Sequence, residues 1–244
     1  GVSYSFPIGD KISAFVGAQG TDGSSAFTVA CTYGGPSNTL DDCGNVQSGF
    51  ESMSGSSLGA SYAFTDEFSM AVGYAGNGVD ATSGLGTAEG LDAVGINASY
   101  ITDTYGLSVT YSSVETANAK GAMYGVYNDA SVAFNGYFSP EGFPSISAGY
   151  EFTDIGGAGV NVDEKTSFFL GLQFDEVGPG SAGVAVGTQG SITEGSDEAL
   201  MYEVYYSYPV NDGMTVTPLI YAKEATSSTD EEETGVMVKT SFSF

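Results

Sequence analysis

The chain contains no Arg, no His and no Trp, and its five cationic side chains, all Lys, face 30 Asp and Glu. The formal net charge of −25 excludes nucleic acid as a partner, because displacing the counterions of a phosphate backbone needs basic surface. Without His, no Ser-His or Cys-His nucleophile pair can be assembled, and no HExxH zinc motif. The two Cys cannot complete a metal site without His or further thiolates. No apolar run reaches the ~18 residues that a membrane-spanning helix needs. The low charged fraction of 14% does not mean disorder, since 13% of residues are aromatic and 41% hydrophobic. The opening "VSYSF" already reads as strand rather than signal peptide, so a mature form or a fragment is expected.

What is present is a period of two. The ending "TGVMVKTSFSF" sends Val236, Val238, Thr240, Phe242 and Phe244 to one face and Gly235, Met237, Lys239, Ser241 and Ser243 to the other. Segments of roughly ten alternating residues recur along the chain in pairs around tight turns. "ASYAFTDEFSMAVGYAG" turns at Thr65-Asp66-Glu67, and "NASYITDTYGLSVTYSS" at Thr102 to Tyr105. "FFLGLQFDEVGPGSAGVAVG" turns at Gly178-Pro179-Gly180, and "YYSYPVNDGMTVTPLIYA" at Asn211-Asp212-Gly213. Between these hairpins lie longer polar stretches, such as 78–90, 116–122, 155–165, 190–198 and 226–233.

One face of each segment is apolar and uncharged: Phe68, Met70, Val72 and Tyr74, for instance, or Leu200, Tyr202, Val204, Tyr206 and Tyr208. The other carries Ser108, Thr110, Ser147, Glu151, Gln173, Glu203, Lys223 and Lys239. Lipid outside and water inside demand this division, because a lipid-facing charge at mid-membrane costs ~2–4 kcal/mol. A soluble β-sandwich also alternates, but it seldom sets short connections at one end of every strand and long ones at the other. Nor does it gather aromatics beside the short turns, as Phe64, Phe68, Tyr208 and Phe244 are gathered here in the manner of an interfacial girdle. The expected fold is all-β: an antiparallel transmembrane β-barrel over residues 1–244, with the short turns and Phe244 on the periplasmic side.

About thirteen strands can be drawn. Bacterial single-chain barrels have even strand numbers, so about three strands are expected to precede Gly1 in a sixteen-stranded whole. The longest connection, 21–56, falls between strands five and six of that whole and is expected to fold into the lumen.

The segments "TGVMVKTSFSF", "YSYPVNDGMTVTPLIYA", "SFFLGLQFDEVGPGSAGVAVG" and "YSFPIGDKISAFVGA" together resemble the carbohydrate-selective porin (OprB-type) family. The likeness is strongest to its cyanobacterial branch, whose members join a surface-layer-homology domain to a C-terminal barrel. It spans most of the chain but is weak in the loops. The resemblance implies a trimeric, sixteen-stranded outer-membrane channel for small hydrophilic solutes, with cell-wall contact through a domain absent from this chain. It implies no cofactor. The chain departs from the family in lacking Arg, which such porins often place at the constriction. Either basic residues lie in the upstream strands or the pore is biased towards cations, and sugar selectivity is not carried over.

Cys31 and Cys43 both lie in the long connection, and in an oxidising envelope compartment they are expected to pair, the alternative being two free thiols. Closing such a ring is worth ~3 kcal/mol in the chain-entropy model. The expected pore lining is Asp92, Glu151, Gln173, Glu203, Lys223 and Lys239. Asp230, Glu231, Glu232 and Glu233 form an oxygen-rich run that could hold Ca²⁺ or Mg²⁺ loosely, or simply be a solvated loop. No catalytic constellation is found: Glu151 and Glu203 sit on separate strands, and "GLGTAEG" lacks the dinucleotide-binding context. The functional classes left are an open diffusion channel and a structural or adhesive barrel with a blocked lumen.

Overall fold

The computed structural model describes residues 1–36, 40, 43, 54–77, 91–117, 126–155, 164–189, 192–193, 195–196, 198–225 and 231–243. Thirteen long strands form one antiparallel sheet in which each pairs with the next along the chain. They are β1 (Ser3–Ile8), β2 (Ile12–Asp22), β3 (Ser54–Ala63), β4 (Phe68–Asn77), β5 (Leu91–Ile101), β6 (Tyr105–Ala117) and β7 (Val126–Phe138). There follow β8 (Ser145–Ile155), β9 (Glu164–Val177), β10 (Gly180–Thr188), β12 (Leu200–Asn211), β13 (Met214–Lys223) and β14 (Glu233–Phe242). The two-residue β11 (Ile192–Thr193) pairs with β9 beside the main path. Among the described residues β1 pairs only with β2, and β14 only with β13.

The alternation fixes which face is which. On β5, Val94, Ile96 and Tyr100 are exposed while Ala93, Asn97 and Ser99 are buried. On β8, Ile146, Tyr150 and Phe152 are exposed while Ser145, Ser147, Glu151 and Thr153 are buried. Large apolar side chains point outward and hydroxyls and carboxylates point inward, the inverse of a water-soluble sheet protein. This division suits a wall with hydrocarbon outside and a polar lumen inside. The chain is an all-β transmembrane barrel wall.

Four inward aromatics stand directly opposite a glycine on the neighbouring strand: Phe15 on Gly59, Tyr137 on Gly106, Tyr205 on Gly183 and Tyr221 on Gly235. A Cβ at any of these glycines would meet the ring at 2.2–2.5 Å. Each ring therefore packs over the glycine, and any side chain there would have to displace it.

The pairing of β12 with β13 keeps one register from Met201↔Lys223 to Pro209↔Thr215 but skips the positions between Tyr205↔Leu219 and Tyr208↔Val216. Pro218 lies in that gap and has no N–H to give the ladder. A side-chain bond fills the place, Thr217 Oγ1 donating to Ser207 Oγ at 3.0 Å.

The short turns match the sequence reading. Phe68 N donates to Thr65 Oγ1 at 3.0 Å, Tyr105 N to Thr102 Oγ1 at 3.0 Å, and Gly213 N to Asn211 Oδ1 at 2.9 Å. Side chains thus satisfy turn N–H groups that the strands leave over. The Phe64 and Phe68 rings pack tilted, 5.3 Å apart, at one of these turns, and Tyr208 is exposed near another. Phe244, the fourth girdle residue, lies outside the described residues.

Candidate functional site

After β2, Asp22 caps a single 3₁₀ turn (Gly23–Ala26), its carboxylate accepting from Ser24 N at 2.8 Å. The chain then leaves the wall. The stretch "AFTVACTYGG" could be read as an extra strand, but between Phe27 and Pro36 it takes no place in the sheet. It crosses the inner face instead, bonded to side chains rather than to a backbone ladder. Thr28 N donates to Asn97 Oδ1 on β5 at 3.0 Å, and Ala30 N to Ser108 Oγ on β6 at 2.9 Å. Thr32 N donates to Ser147 Oγ on β8 and Gly34 N to Gln173 Oε1 on β9, both at 2.9 Å. The N–H groups of four even-numbered residues thus reach four strands of the wall, with one tight turn between them where Cys31 N donates to Val29 O at 3.0 Å. The strand passed over is β7, whose inward residue between Ser108 and Gly149 is Asn135. Asn135 is buried, and neither of its amide atoms has a hydrogen-bond partner among the described residues.

Further along, Cys31 and Cys43 are joined by a disulfide, with Cα atoms 6.0 Å apart. Two groups within that ring meet one carboxylate on β12. Tyr33 Oη donates to Glu203 Oε1 at 2.6 Å and Leu40 N to Glu203 Oε2 at 3.0 Å. The Tyr33 ring packs on Phe169 at 5.3 Å and on Tyr205 at 5.7 Å. Tyr33, Leu40, Cys43, Phe169, Met201, Tyr205 and Leu219 form a buried apolar cluster on the inside of the wall. A desolvated carboxylate is tolerated there because both its oxygens receive donors.

This arrangement corrects two expectations about the pore lining. Glu203 and Glu151 do face inward, but they are only 3% and 1% exposed. Tyr33 and Leu40 of the inserted segment cover Glu203, and Glu151 is buried as well, so neither borders open water. Asp92 is on the other face altogether, sharing the parity of the exposed Val94 and Ile96. The sequence reading misplaced it because an acidic residue was assumed to seek the lumen. At the end of β5 it accepts a hydrogen bond from Tyr74 Oη on the outside instead.

The remaining three point inward as expected. Gln173 Oε1 accepts from both Gly34 N and Tyr205 Oη, and its Nε2 donates to Asp175 at 2.9 Å. The Lys223 ammonium lies over the Tyr221 ring, 5.2 Å from its centre. Lys239 stands opposite Thr217. Of the acidic run, Asp230 is outside the described residues, while Glu231, Glu232 and Glu233 are exposed at the start of β14. Glu233 accepts from Tyr221 Oη at 2.6 Å. Among the described residues no group of three His, Cys, Asp or Glu is placed to hold a metal.

Ser108 and Ser147 were read from the sequence only as inward-facing, and Asn97, Tyr33 and Leu40 were not named as site residues. Their only signal was inward parity or membership of the long connection. Neither feature separates a residue that faces water from one that receives the segment.

Below Gly34–Pro36 the wall is hollowed into a recess of about 300 Å³, lined by hydroxyls of β10, β12, β13 and β14 and by Lys239.

No family model matches the chain, and no curated protein matches it. Solved structures do. The anion-selective porin of Comamonas acidovorans superposes with a TM-score of 0.64 at 15% identity, over 78% of this chain and 60% of that one. OprB of Pseudomonas putida gives 0.60 at 16% identity, over 96% and 70%. OmpF of Salmonella typhi gives 0.60 at 12% identity, over 94% and 76%. At such identities the likeness carries the fold alone. This chain spans 60% of the length of the Comamonas porin chain.

Proposed function

We propose that the chain forms the greater part of an outer-membrane porin, a water-filled passage for small hydrophilic solutes and ions. The observation that carries this reading is the inversion of the wall, apolar outward and polar inward on strand after strand, combined with a segment laid across its inner face. Such a segment narrows a lumen without closing it, because its buried cluster occupies the side of β9 to β13. Lys239 and Ser241, at one end of the inward face of β14, remain exposed.

In this reading about three further strands complete a sixteen-stranded barrel between β14 and β1, which supports the two strand edges seen here. The assembly is a homotrimer. The sequence likeness to cyanobacterial OprB-type porins carries the additional reading of an upstream cell-wall-binding domain. Cation bias in dilute salt follows from the net charge of −25. No catalytic role is proposed.

A structural or adhesive barrel with a blocked lumen is the competing reading, and the apolar cluster around Tyr33 and Leu40 is what favours it. Conductance of the full-length protein in planar bilayers separates the two. Stepwise, ohmic increments support a channel, and a protein that inserts without conducting excludes it.

A further inference from the structure

The outward face of β7 and β8 is not evenly covered. Phe134 stands opposite Tyr150 and Phe138 opposite Ile146, but between these pairs Gly136 stands opposite Ala148. Two small residues thus set a floor between four large exposed side chains, and exposed Leu107 on β6 closes one side. The hollow they leave holds about 490 Å³.

A polar cavity lies just beyond it. β7 and β8 are joined by residues 139–144, the longest of the short connections. Pro140 to Phe143 forms a type II turn, with Phe143 N donating to Pro140 O at 3.3 Å and Gly142 at φ +76°. Glu141 stands at its tip. Between this turn and Phe174, Asp175 and Glu176 of β9 the cavity measures about 550 Å³. Phe143 is 74% exposed, and Glu141 and Glu176 are exposed as well.

Only the Phe138–Ile146 pair separates the two cavities, and the three residues of strand from Ala148 to Ser145 cover ~10 Å. An apolar hollow at hydrocarbon level is thus followed by a polar cavity at the turn, the order in which a phospholipid presents chain and headgroup. No lysine lines the polar cavity, and Lys165 of β9 stands near the opposite end of that strand. Asp175 already accepts from Gln173 Nε2 at 2.9 Å, whereas Glu141 and Glu176 have no hydrogen-bond or ion-pair partner among the described residues. The other short turns bear Asp10, Asp66, Glu67, Asp103 and Asp212 against Lys11. A second copy of this chain set here would bring mostly like charge. An ammonium brings the opposite one, and the exposed rings of Phe143 and Phe174 offer it their faces.

We propose that β7 and β8 hold one phospholipid with an ammonium headgroup, an acyl chain in the Gly136–Ala148 hollow and the ammonium between Glu141 and Glu176. Ser139, which also lines the polar cavity, offers a hydroxyl to the phosphate. The hollow supplies the contact area, and the carboxylates choose the headgroup. The site rests on the wall's facing lipid and not on the channel reading, so a barrel that conducts nothing would still bind.

Native mass spectrometry of the full-length protein in detergent counts the lipids it retains. Dioleoyl phosphatidylethanolamine should stay bound, one molecule to each protomer, and dioleoyl phosphatidylglycerol should be retained less. Glu141→Gln with Glu176→Gln should weaken phosphatidylethanolamine retention about threefold, the scale of exposed ion pairs. Asp66→Asn with Glu67→Gln removes the same charge at another turn and should leave retention unchanged. Ala148→Leu fills the hollow from the lipid side and should lower retention of both lipids. No retained lipid, equal retention of the two lipids, an equal loss in both charge variants, or full retention in Ala148→Leu would each overturn the proposal. An Ala148→Leu protein whose oligomer splits while its lipid stays would overturn it too, and would assign the hollow to a second copy of this chain.

Discussion

Tyr33 and Glu203 are 170 residues apart in sequence, yet the phenol donates to the carboxylate at 2.6 Å inside the wall. Glu203 holds the disulfide ring at two points, so its removal leaves two buried donors unpaired. We expect Glu203→Ala to loosen the ring at a cost of ~1–3 kcal/mol for each orphaned donor, and Tyr33→Phe to disturb the Leu40 amide less, because Glu203 Oε2 still accepts from it although Oε1 loses its donor. Hydrogen exchange at the Leu40 amide is the measurement. It should accelerate strongly in Glu203→Ala and modestly in Tyr33→Phe, and unchanged exchange in both would contradict the clamp.

Reduction of Cys31–Cys43 should alter conductance more than it alters barrel stability. The wall's backbone bonds close between strands and do not involve the ring. Single-channel recordings with and without reductant, beside heat-unfolding gels of the same samples, test this. A barrel that melts on reduction while its conductance stays constant would refute the separation.

Asn97 and Asn135 offer a matched comparison. Asn97 accepts from Thr28 N and donates to Thr110 Oγ1 at 3.0 Å, whereas Asn135 has no partner for either amide atom among the described residues. Asn97→Ala should cost ~1–2 kcal/mol through lost buried bonds, and Asn135→Ala should be near neutral. Chemical unfolding in detergent gives both values, and a larger loss at Asn135 would mean that something unseen satisfies it.

Ion selectivity should be cationic in dilute KCl and weak in concentrated KCl, because the reach of exposed carboxylates shrinks with the Debye length. The covered Glu151 and Glu203 should contribute little directly. Neutralising Glu231, Glu232 and Glu233 should therefore reduce the reversal potential in dilute salt more than Glu151→Gln does. The opposite ranking would place Glu151 in open water.

For topology, cysteines introduced in 78–90 or 226–233 should react with impermeant reagent on intact cells, and one at Asp212 only after lysis. The reverse pattern would invert the barrel.

The wall was legible because a strict period of two, punctuated by Thr65, Thr102, Gly178 and Asp212, leaves each strand little choice of face. About thirteen strands could be drawn, and thirteen long ones form among the described residues. Asp92 failed for a physical reason: near a strand end the membrane interface tolerates a charge outside, so polarity no longer reports direction. Glu151 and Glu203 failed differently. Parity gave their direction correctly, but whether water or protein lies in front of them depends on tertiary packing, which alternation does not encode. Cys31 and Cys43 marked that segment, while its bonds to Asn97, Ser108, Ser147 and Gln173 left no local trace.

The segment that carries Thr28, Ala30, Thr32 and Gly34 is in effect a gauge of circumference. Fully extended, six residues span at most ~20 Å, and the four strand spacings from β5 to β9 span ~19 Å. The segment, which also makes a tight turn with Cys31 N donating to Val29 O at 3.0 Å, has no length to spare, so the wall's arc and the segment constrain each other. Deleting a single residue between Thr28 and Gly34 would turn the later N–H groups away from their strands, and any change in local curvature would break the same bonds. The sequence inside the lumen thereby limits how far the shape of the membrane wall can drift.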